Sequence, residues 1–387
     1  MKLMIHRGAL VEGLALASGV VLSRTPKPVL TCVKLQAAKN GPTGTLNVVA
    51  TDLEMTLQYS LTQVDIAEEG TALIPASKLN DIVNNAPDDT LALSTEQDKT
   101  TIQGGDSIFK IFGYNPDEFP PIVPFEGEPD FSLPAGTLKN LIDRTRFAAA
   151  REMSRYAFNG VLFERKGKTL SLVATDGNRL ALTKAEVQAA EARDVSLVVP
   201  IKAINLLDRL LTDPDQVVGL QFKENRLFAR ISAGELAETK EGAAASQEQA
   251  TAFMSTSLVE GSFPPYEAVI PKDSDKKVTL GREQFSSAVR RAALLTNEES
   301  RGVRLNFSKS ALSISSRSPE MGEAKIDLPV EYDGEDLAIG FNPAYLTDAL
   351  KVCDTEEVTL EMKSPNKQSL MRAGTNFLYV IMPVSLG

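Results

Sequence analysis

The chain repeats itself. LNVVATDLEM (46–55) and LSLVATDGNRLA (170–181) share VATD, which sets Asp52 against Asp176 at a shift of 124. IPASKLNDIV (74–83) and VPIKAINLLDRL (199–210) coincide at Pro75 and Pro200, a shift of 125, and the leading apolar segments align Leu10 with Leu138 at 128. Shifts that agree within a few residues mark duplication, so the 387 residues solve one packing problem several times over. A third copy is fainter. VTLGREQFSSAVRRAALL (278–295) resembles FSLPAGTLKNLIDRTRFA (131–148), and AIGFNPAYLTDAL (338–350) resembles the IPASKLNDIV segment. Its offset is longer, 147 from Leu138 to Phe285, and GELAETKEGAAASQEQAT (234–251) supplies the excess. With one large apolar residue in 18, that stretch reads as a solvated, mobile insertion in the second copy.

Within each copy the order is strand, helix, several alternating strands, strand, second helix and closing strands. LNVVA, LSLVA, VTLEM and FLYVIM alternate with period two, and TDGN carries an Asp-Gly turn between apolar runs. Helix starts are marked by Pro134 with Thr137, Pro75 with Ser77, and Asn342 with Pro343, where a proline or a side-chain cap suits the first turn. The pattern predicts an α+β fold of three modules, each with two helices packed on antiparallel sheet. Boundaries fall in DEFPPIVPFEGEPD and GSFPPYEAVIPKDSD, giving modules at 1–127, 128–272 and 273–387.

Several chemistries lack their residues. Cys32 and Cys353 are far apart in sequence and show no metal-ligand spacing, and the single histidine is His6, so His-dependent triads, His-ligated metals and disulfide scaffolds have no support. Neither GxxxxGK[ST] nor GxGxxG occurs, and no cofactor or metal is expected. The start, MKLMIHRGALVEGLALASGVVL, imitates a cleaved leader, but Glu12 interrupts it while Leu10, Leu14, Ala17 and Val21 recur at helical spacing. No segment reaches the length of a membrane span, and a reducing cytoplasm fits the cysteine usage.

The formal net charge is −10, yet its distribution is uneven. Arg7, Arg24 and Lys27 stand against Glu12 around the first helix, and Lys139, Arg144, Arg146, Arg151 and Arg155 against Asp143 and Glu152 around its second copy. In the third copy Arg282, Arg290 and Arg291 oppose Glu283. A positive feature recurring on an acidic background is either a surface for a polyanion or the solvated outer face of three helices. Little aromatic interleaving accompanies it, so contacts would go to phosphates and be independent of sequence.

ATDLEM, RYAFNGVLFE (155–164), VATDGNRLA, EGSFPPYEAVIP (260–271), RAALLTNEESRGVRL (291–305), IGFNPAYL and YVIMPVSL resemble the bacterial DNA sliding clamps, the β subunits of replicative DNA polymerase III. The resemblance spans all three copies. It implies a head-to-tail homodimer whose six domains form a ring, with helices of about 15 residues, roughly 22 Å long, lining a hole for duplex DNA. Such a ring has no catalytic site and is retained on DNA by topology while it tethers the polymerase. DNA-facing candidates by resemblance are Arg24, Arg151, Arg155 and Tyr156, to which the charge pattern adds Lys139, Arg146 and Arg282.

A pocket for short peptides from the polymerase catalytic subunit, the clamp loader, other polymerases and repair proteins is implied as well. By motif it comprises Phe158, Thr175, Gly177, Asn178, Arg179, Leu180, Pro264, Val269, Asn342 and Tyr345, with the closing Val380, Ile381, Met382, Pro383, Val384 and Leu386. Read without the resemblance, many of these are ordinary core or strand residues. Asn178, Ser300, Ala268 and Ser385 depart from the family pattern, Ala157 follows Tyr156 where a second aromatic is frequent, and Gly387 extends the end, so peptide preference is expected to differ. The ring junction would set Phe109 and Ile111 against Leu294 and Leu295, although the two leucines also suit internal packing.

Two other readings use the same residues. A carboxylate-based hydrolase would draw an acid pair from Asp52, Glu54 and Asp176, and a repeat scaffold would bind only proteins. The equivalent placing of Asp52 and Asp176 in two repeats favours a turn role for both.

Overall fold

The computed structural model describes residues 1–40, 43–150, 158–187, 194–233, 250–296 and 302–385. Six α-helices occur among them: α1 (Arg7–Ala17), α2 (Ala76–Asn85), α3 (Ala135–Asp143), α4 (Ile201–Leu210), α5 (Arg282–Ala293) and α6 (Pro343–Val352). Five begin on the residue after a strand, and α6 begins one residue later, after Asn342. This strand-to-helix step is the repeated unit that the Pro75/Pro200 alignment detects. Pro75 is the residue before α2 and makes no side-chain cap, so Ser77 lies inside the helix, as Thr137 does in α3. Only Asn342 caps as expected, its Oδ1 accepting from the Ala344 amide at 2.9 Å.

The helices run 9 to 12 residues, shorter than the expected 15. The Ser18 hydroxyl donates to the Leu14 carbonyl at 2.8 Å at the end of α1, and Thr145 does the same to Leu141 at 2.8 Å beyond α3. The Leu14 carbonyl also accepts from the Ser18 amide at 2.9 Å, whereas the Thr145 amide turns to Ile142 at 3.0 Å and its hydroxyl takes the Leu141 carbonyl instead. Arg24, Lys27 and Arg146 therefore lie in the segments that follow first helices.

The chain forms two compact units. The first comprises Met1–Lys139 with Lys202–Leu258, the second residues 140–187, 194–201 and 259–385 among those described. The middle repeat is thus shared between them, and α3 crosses the boundary.

In the first unit an eight-stranded antiparallel sheet runs Phe131–Pro134, Val217–Lys223, Arg226–Ser232, Ala250–Ser257, Met55–Leu61, Thr43–Thr51, Cys32–Asn40, Gly70–Pro75. First and middle repeats meet where Ala250–Ser257 pairs with Met55–Leu61, Met254 opposite Leu57. Leu57, Val48, Leu35 and Leu10 are buried in the core that α1 and α2 cover. Each such side chain contributes about 1.5–3 kcal/mol over leaving it in water. A second sheet runs Val64–Glu68, Lys2–His6, Thr90–Glu96, Lys99–Gln103, Ile108–Phe112.

The second unit repeats the plan. Its eight-stranded sheet runs Val195–Pro200, Gly160–Lys166, Thr169–Thr175, Arg179–Glu186, Phe377–Ile381, Ser369–Ala373, Glu357–Met362, Lys276–Gly281. Middle and third repeats meet where Arg179–Glu186 pairs with Phe377–Ile381, Ala181 opposite Tyr379. A four-stranded sheet runs Gly322–Pro329, Ala311–Ser318, Val303–Ser308, Leu337–Phe341, with α5 packed on it. The strand Ala250–Ser257 opens within the segment read as insertion, pairing Ala250 with Ser232; residues 234–249 lie outside the described set.

Candidate functional site

The two VATD segments build one turn twice. The Thr51 hydroxyl donates to the Met55 carbonyl at 3.0 Å and accepts from the Leu53 amide at 3.1 Å, while Asp52 Oδ1 accepts from the Glu54 and Met55 amides at 3.1 and 2.7 Å. In the second copy Thr175 donates to the Arg179 carbonyl at 2.6 Å and accepts from Gly177 at 3.1 Å. Asp176 Oδ1 accepts from Asn178 and Arg179 at 3.0 and 3.1 Å. Asp52 and Asp176 thus spend an oxygen on backbone amides. Their second oxygens take Lys202 Nζ at 2.6 Å and Arg179 Nε at 3.0 Å. Both carboxylates are structural, which removes the acid-pair reading. The residue at the apex is left-handed in both turns, Gly177 at φ +89° and Leu53 at φ +80°.

The second turn gathers most of the expected peptide residues. The Met382 amide donates to the Asn178 carbonyl at 2.8 Å, Arg179 stands opposite Ile381 and Leu180 opposite Val380, and the Val384 amide donates to Gly340 at 2.9 Å, just before Asn342. Val380 and Leu180 are buried with Leu162, Val173 and Tyr266, and Phe263 packs on the same cluster. Phe158 meets Phe263 edge to face at 6.4 Å, which puts Pro264 beside that aromatic pair. Asn178, Val269 and Met382 are exposed, Val269 and Met382 to 46% and 42%. Thr175, Leu180, Val380 and Ile381 are buried, while Pro383, Val384 and Tyr345 are half-buried. Leu386 and Ser300 lie outside the described residues.

Arg179 is engaged within the chain. Its Nε donates to Asp176, its Nη1 to Asp348 at 2.8 Å and its Nη2 to the Phe147 carbonyl at 2.7 Å. Its guanidinium lies 4.5 Å from the Tyr345 ring centroid and 5.4 Å from that of Phe147. Burial opposes its charge, and Asp348, Tyr379 and Asp176 outweigh burial, so its pKa is raised. Asp348 has no counterpart in the sequence expectation; its pairing with Arg179 spans 169 residues and leaves no local signal.

The expected cationic residues divide. Arg24 is exposed and makes no ion pair among the described residues. Arg146 Nη2 pairs with Asp143 at 2.9 Å and remains 35% exposed. Lys139 Nζ is held by Asp208 at 2.6 Å, and Arg282 by the adjacent Glu283 at 3.2 Å. Arg144, counted with the positive helix, is instead buried, pairing with Asp354 at 2.5 Å over the Phe377 ring. Arg151, Arg155 and Tyr156 lie outside the described residues.

The last group stands at sheet edges. Phe109 and Ile111 belong to Ile108–Phe112, the edge strand of the five-stranded sheet, where Ile108, Phe109 and Phe112 are all exposed. Leu294, 71% exposed, and the half-buried Leu295 end α5, which packs beside Gly322–Pro329, the edge strand of the four-stranded sheet.

Comparison with known proteins accounts for the whole chain. Family models of the DNA polymerase III beta subunit match three times, its N-terminal domain at residues 1–123, its central domain at 132–265 and its C-terminal domain at 267–385. The chain is 37% identical to a beta sliding clamp from Pseudomonas aeruginosa and 33% identical to that of Escherichia coli, covering 100% of both chains in each case. Among solved structures, a beta subunit from P. aeruginosa bound to griselimycin aligns over 100% of both chains with a TM-score of 0.88 at 36% identity. One from Bartonella birtlesii, also bound to griselimycin, aligns over 100% of this chain and 99% of that one with a TM-score of 0.86 at 31% identity. With three family domains in order and full-length relatives, the chain belongs to the DNA polymerase III beta subunit family, the bacterial beta sliding clamps, whose members are processivity factors without a catalytic site of their own.

Proposed function

We propose that two copies of this chain join head to tail into a ring around duplex DNA, and that the ring tethers the replicative polymerase and other partners through short peptides. The sheet topology carries the reading. Within the chain, the strand after the Thr-Asp turn of one repeat pairs with the last strand of the next: Met55–Leu61 with Ala250–Ser257, and Arg179–Glu186 with Phe377–Ile381. Two strands of these same kinds are left over, Gly322–Pro329 from the third repeat and Ile108–Phe112 from the first. Each is an open edge with unpaired amides and carbonyls. A strand of one kind on one copy and of the other on its neighbour makes a heterologous contact, which closes when the rotation per subunit divides a full turn. Phe109, Ile111, Leu294 and Leu295 are the apolar residues beside that junction.

Arg24, Arg146, Arg151, Arg155 and Tyr156 are the DNA-facing set, with Lys139 and Arg282 in supporting positions because an acidic neighbour already matches each. Few cations on an acidic chain suit passing phosphate contacts without a fixed register, so the ring slides. The turn Thr175–Arg179, the Met382–Val384 segment, Val269 and Tyr345 form the peptide site, where exposed Met382 adapts to several apolar anchors. Griselimycin, bound by two relatives of this fold, is expected to occupy it. The modules divide at 127 and 272, and the protein works in the cytoplasm with the replication machinery. Solution mass at low concentration tests the ring: twice the chain mass is expected, and a strict monomer contradicts it.

A further inference from the structure

Arg179 reaches out of the peptide turn to two other elements. Thr175 and Asp176 close the turn's own backbone, but its apex is a glycine and Asn178 is exposed, so no side chain at the apex anchors it to the rest of the unit. What ties its side chains to other elements is the Arg179 guanidinium, held by Asp176 from within and reaching the Asp348 carboxylate of α6 and the Phe147 carbonyl beyond α3. The Arg179 side chain is only 10% exposed and each of its three nitrogens already donates inside the chain, so it has a holding role. The turn passes that constraint on through the Asn178 carbonyl, which accepts from Met382.

The first repeat solves the same problem with the charges exchanged. There Met55 replaces Arg179, and the turn's own Asp52 takes Lys202 from α4 at 2.6 Å. In both copies an ion pair ties the Thr-Asp turn to the second helix of the following repeat. Asp348 also opens onto a cleft of about 480 Å³, lined by Arg146, Phe147, Lys351 and Asp354 among others, and keeps 33% of its side chain exposed. The tie can therefore be broken without emptying the core.

From these contacts we propose that Asp348 is a positioning residue for the peptide site: it touches no peptide, and by holding Arg179 it fixes the Thr175–Arg179 turn and the Met382–Val384 segment in the shape that binds. The inference rests on the peptide-site reading above.

Griselimycin binding to the full-length chain, followed by calorimetry, tests it. Asp348→Asn keeps the shape and removes the charge, and is expected to weaken binding about tenfold. Asp354→Asn breaks the neighbouring pair with Arg144 in the same cleft, which does not touch the turn, and is expected to change affinity less than about twofold. In an Arg179→Met background, the residue found in the first repeat, Asp348→Asn is expected to have no further effect. Asp348→Glu restores the carboxylate and is expected to recover part of the loss. Unchanged affinity in Asp348→Asn overturns the inference, as do full, multiplying losses in the Arg179→Met background or an equal loss from Asp354→Asn. If the unaltered chain does not bind griselimycin, the peptide-site reading falls and takes this inference with it; binding by the unaltered chain with an inert Asp348 removes the inference alone.

Discussion

The backbone amide of Met382 donates to the carbonyl oxygen of Asn178 at 2.8 Å, and Ser257 makes the same bond to Glu54 at 2.8 Å. One latch, used twice, fastens the end of a repeat to the Thr-Asp turn of the repeat before it. Gly177 stands at the apex of the second latch with φ +89°. Gly177→Ala is expected to lower stability by about 1 kcal/mol, because a side chain in the left-handed region strains the turn. Chemical denaturation reads the loss directly, and griselimycin affinity should fall with it.

Asn342 carries the one side-chain cap that the sequence correctly marks, on α6 beside the peptide site. Asn342→Ala is expected to cost about 1 kcal/mol of stability, and Asn342→Asp to restore it, since either oxygen accepts from the Ala344 amide. Denaturation midpoints of the two variants separate capping from peptide contact: a residue that served the peptide alone would leave both midpoints unchanged.

Cys32 and Cys353 are buried thiols, each pushed up to about 11 from the ordinary 9.0, chiefly by burial. Their neutral form is the native one. As pH rises past 9, thiols of the unfolded chain ionise first, so the native state loses stability until the folded thiols ionise near 11. The full loss is on the order of 2 kcal/mol per thiol, negligible well below pH 9, about half developed at pH 10 and complete above about 11. Denaturation midpoints at pH 8 and pH 10 measure it, and a Cys32→Ala, Cys353→Ala variant should lose part of that slope while being less stable at pH 8.

Arg24 is exposed and unpaired among the described residues, and Arg146 is shared with Asp143. Replacing either by alanine is expected to weaken duplex binding equally for all sequences and to reduce the salt slope by about one, with the larger loss of affinity at Arg24. Titrations over a range of salt, on two unrelated duplexes, check both statements.

The repeat was legible because the turn that closes each VATD is built from side chains two to four residues away, so its chemistry had to be copied with it. Helix starts after Pro75 and Pro134 were legible from the prolines themselves, since each is the residue before its helix. Helix ends were not, because neither Ser18 nor Thr145 marks in sequence that its helix stops there. Leu53 gave no hint of its left-handed backbone, which leucine rarely adopts. Around the site, exposed Met382 and the strand partners of Arg179 follow the family pattern, but the inward role of Arg179 depends on Asp348, and a pairing across 169 residues leaves no period to read. Charge counting places Arg144 on the positive surface, whereas its buried guanidinium lies over the Phe377 ring and pairs with Asp354.

Closure of the Ile108–Phe112 and Gly322–Pro329 edges between two copies is the claim on which the rest stands, and retention on DNA of different topology tests it most directly. Loaded by a clamp loader onto nicked circular duplex and passed through gel filtration at high salt, the protein is predicted to stay with the circle and to be lost once a restriction cut makes the DNA linear. Equal retention on circular and linear DNA, or loss from the circle at the same salt as from the linear form, would contradict it.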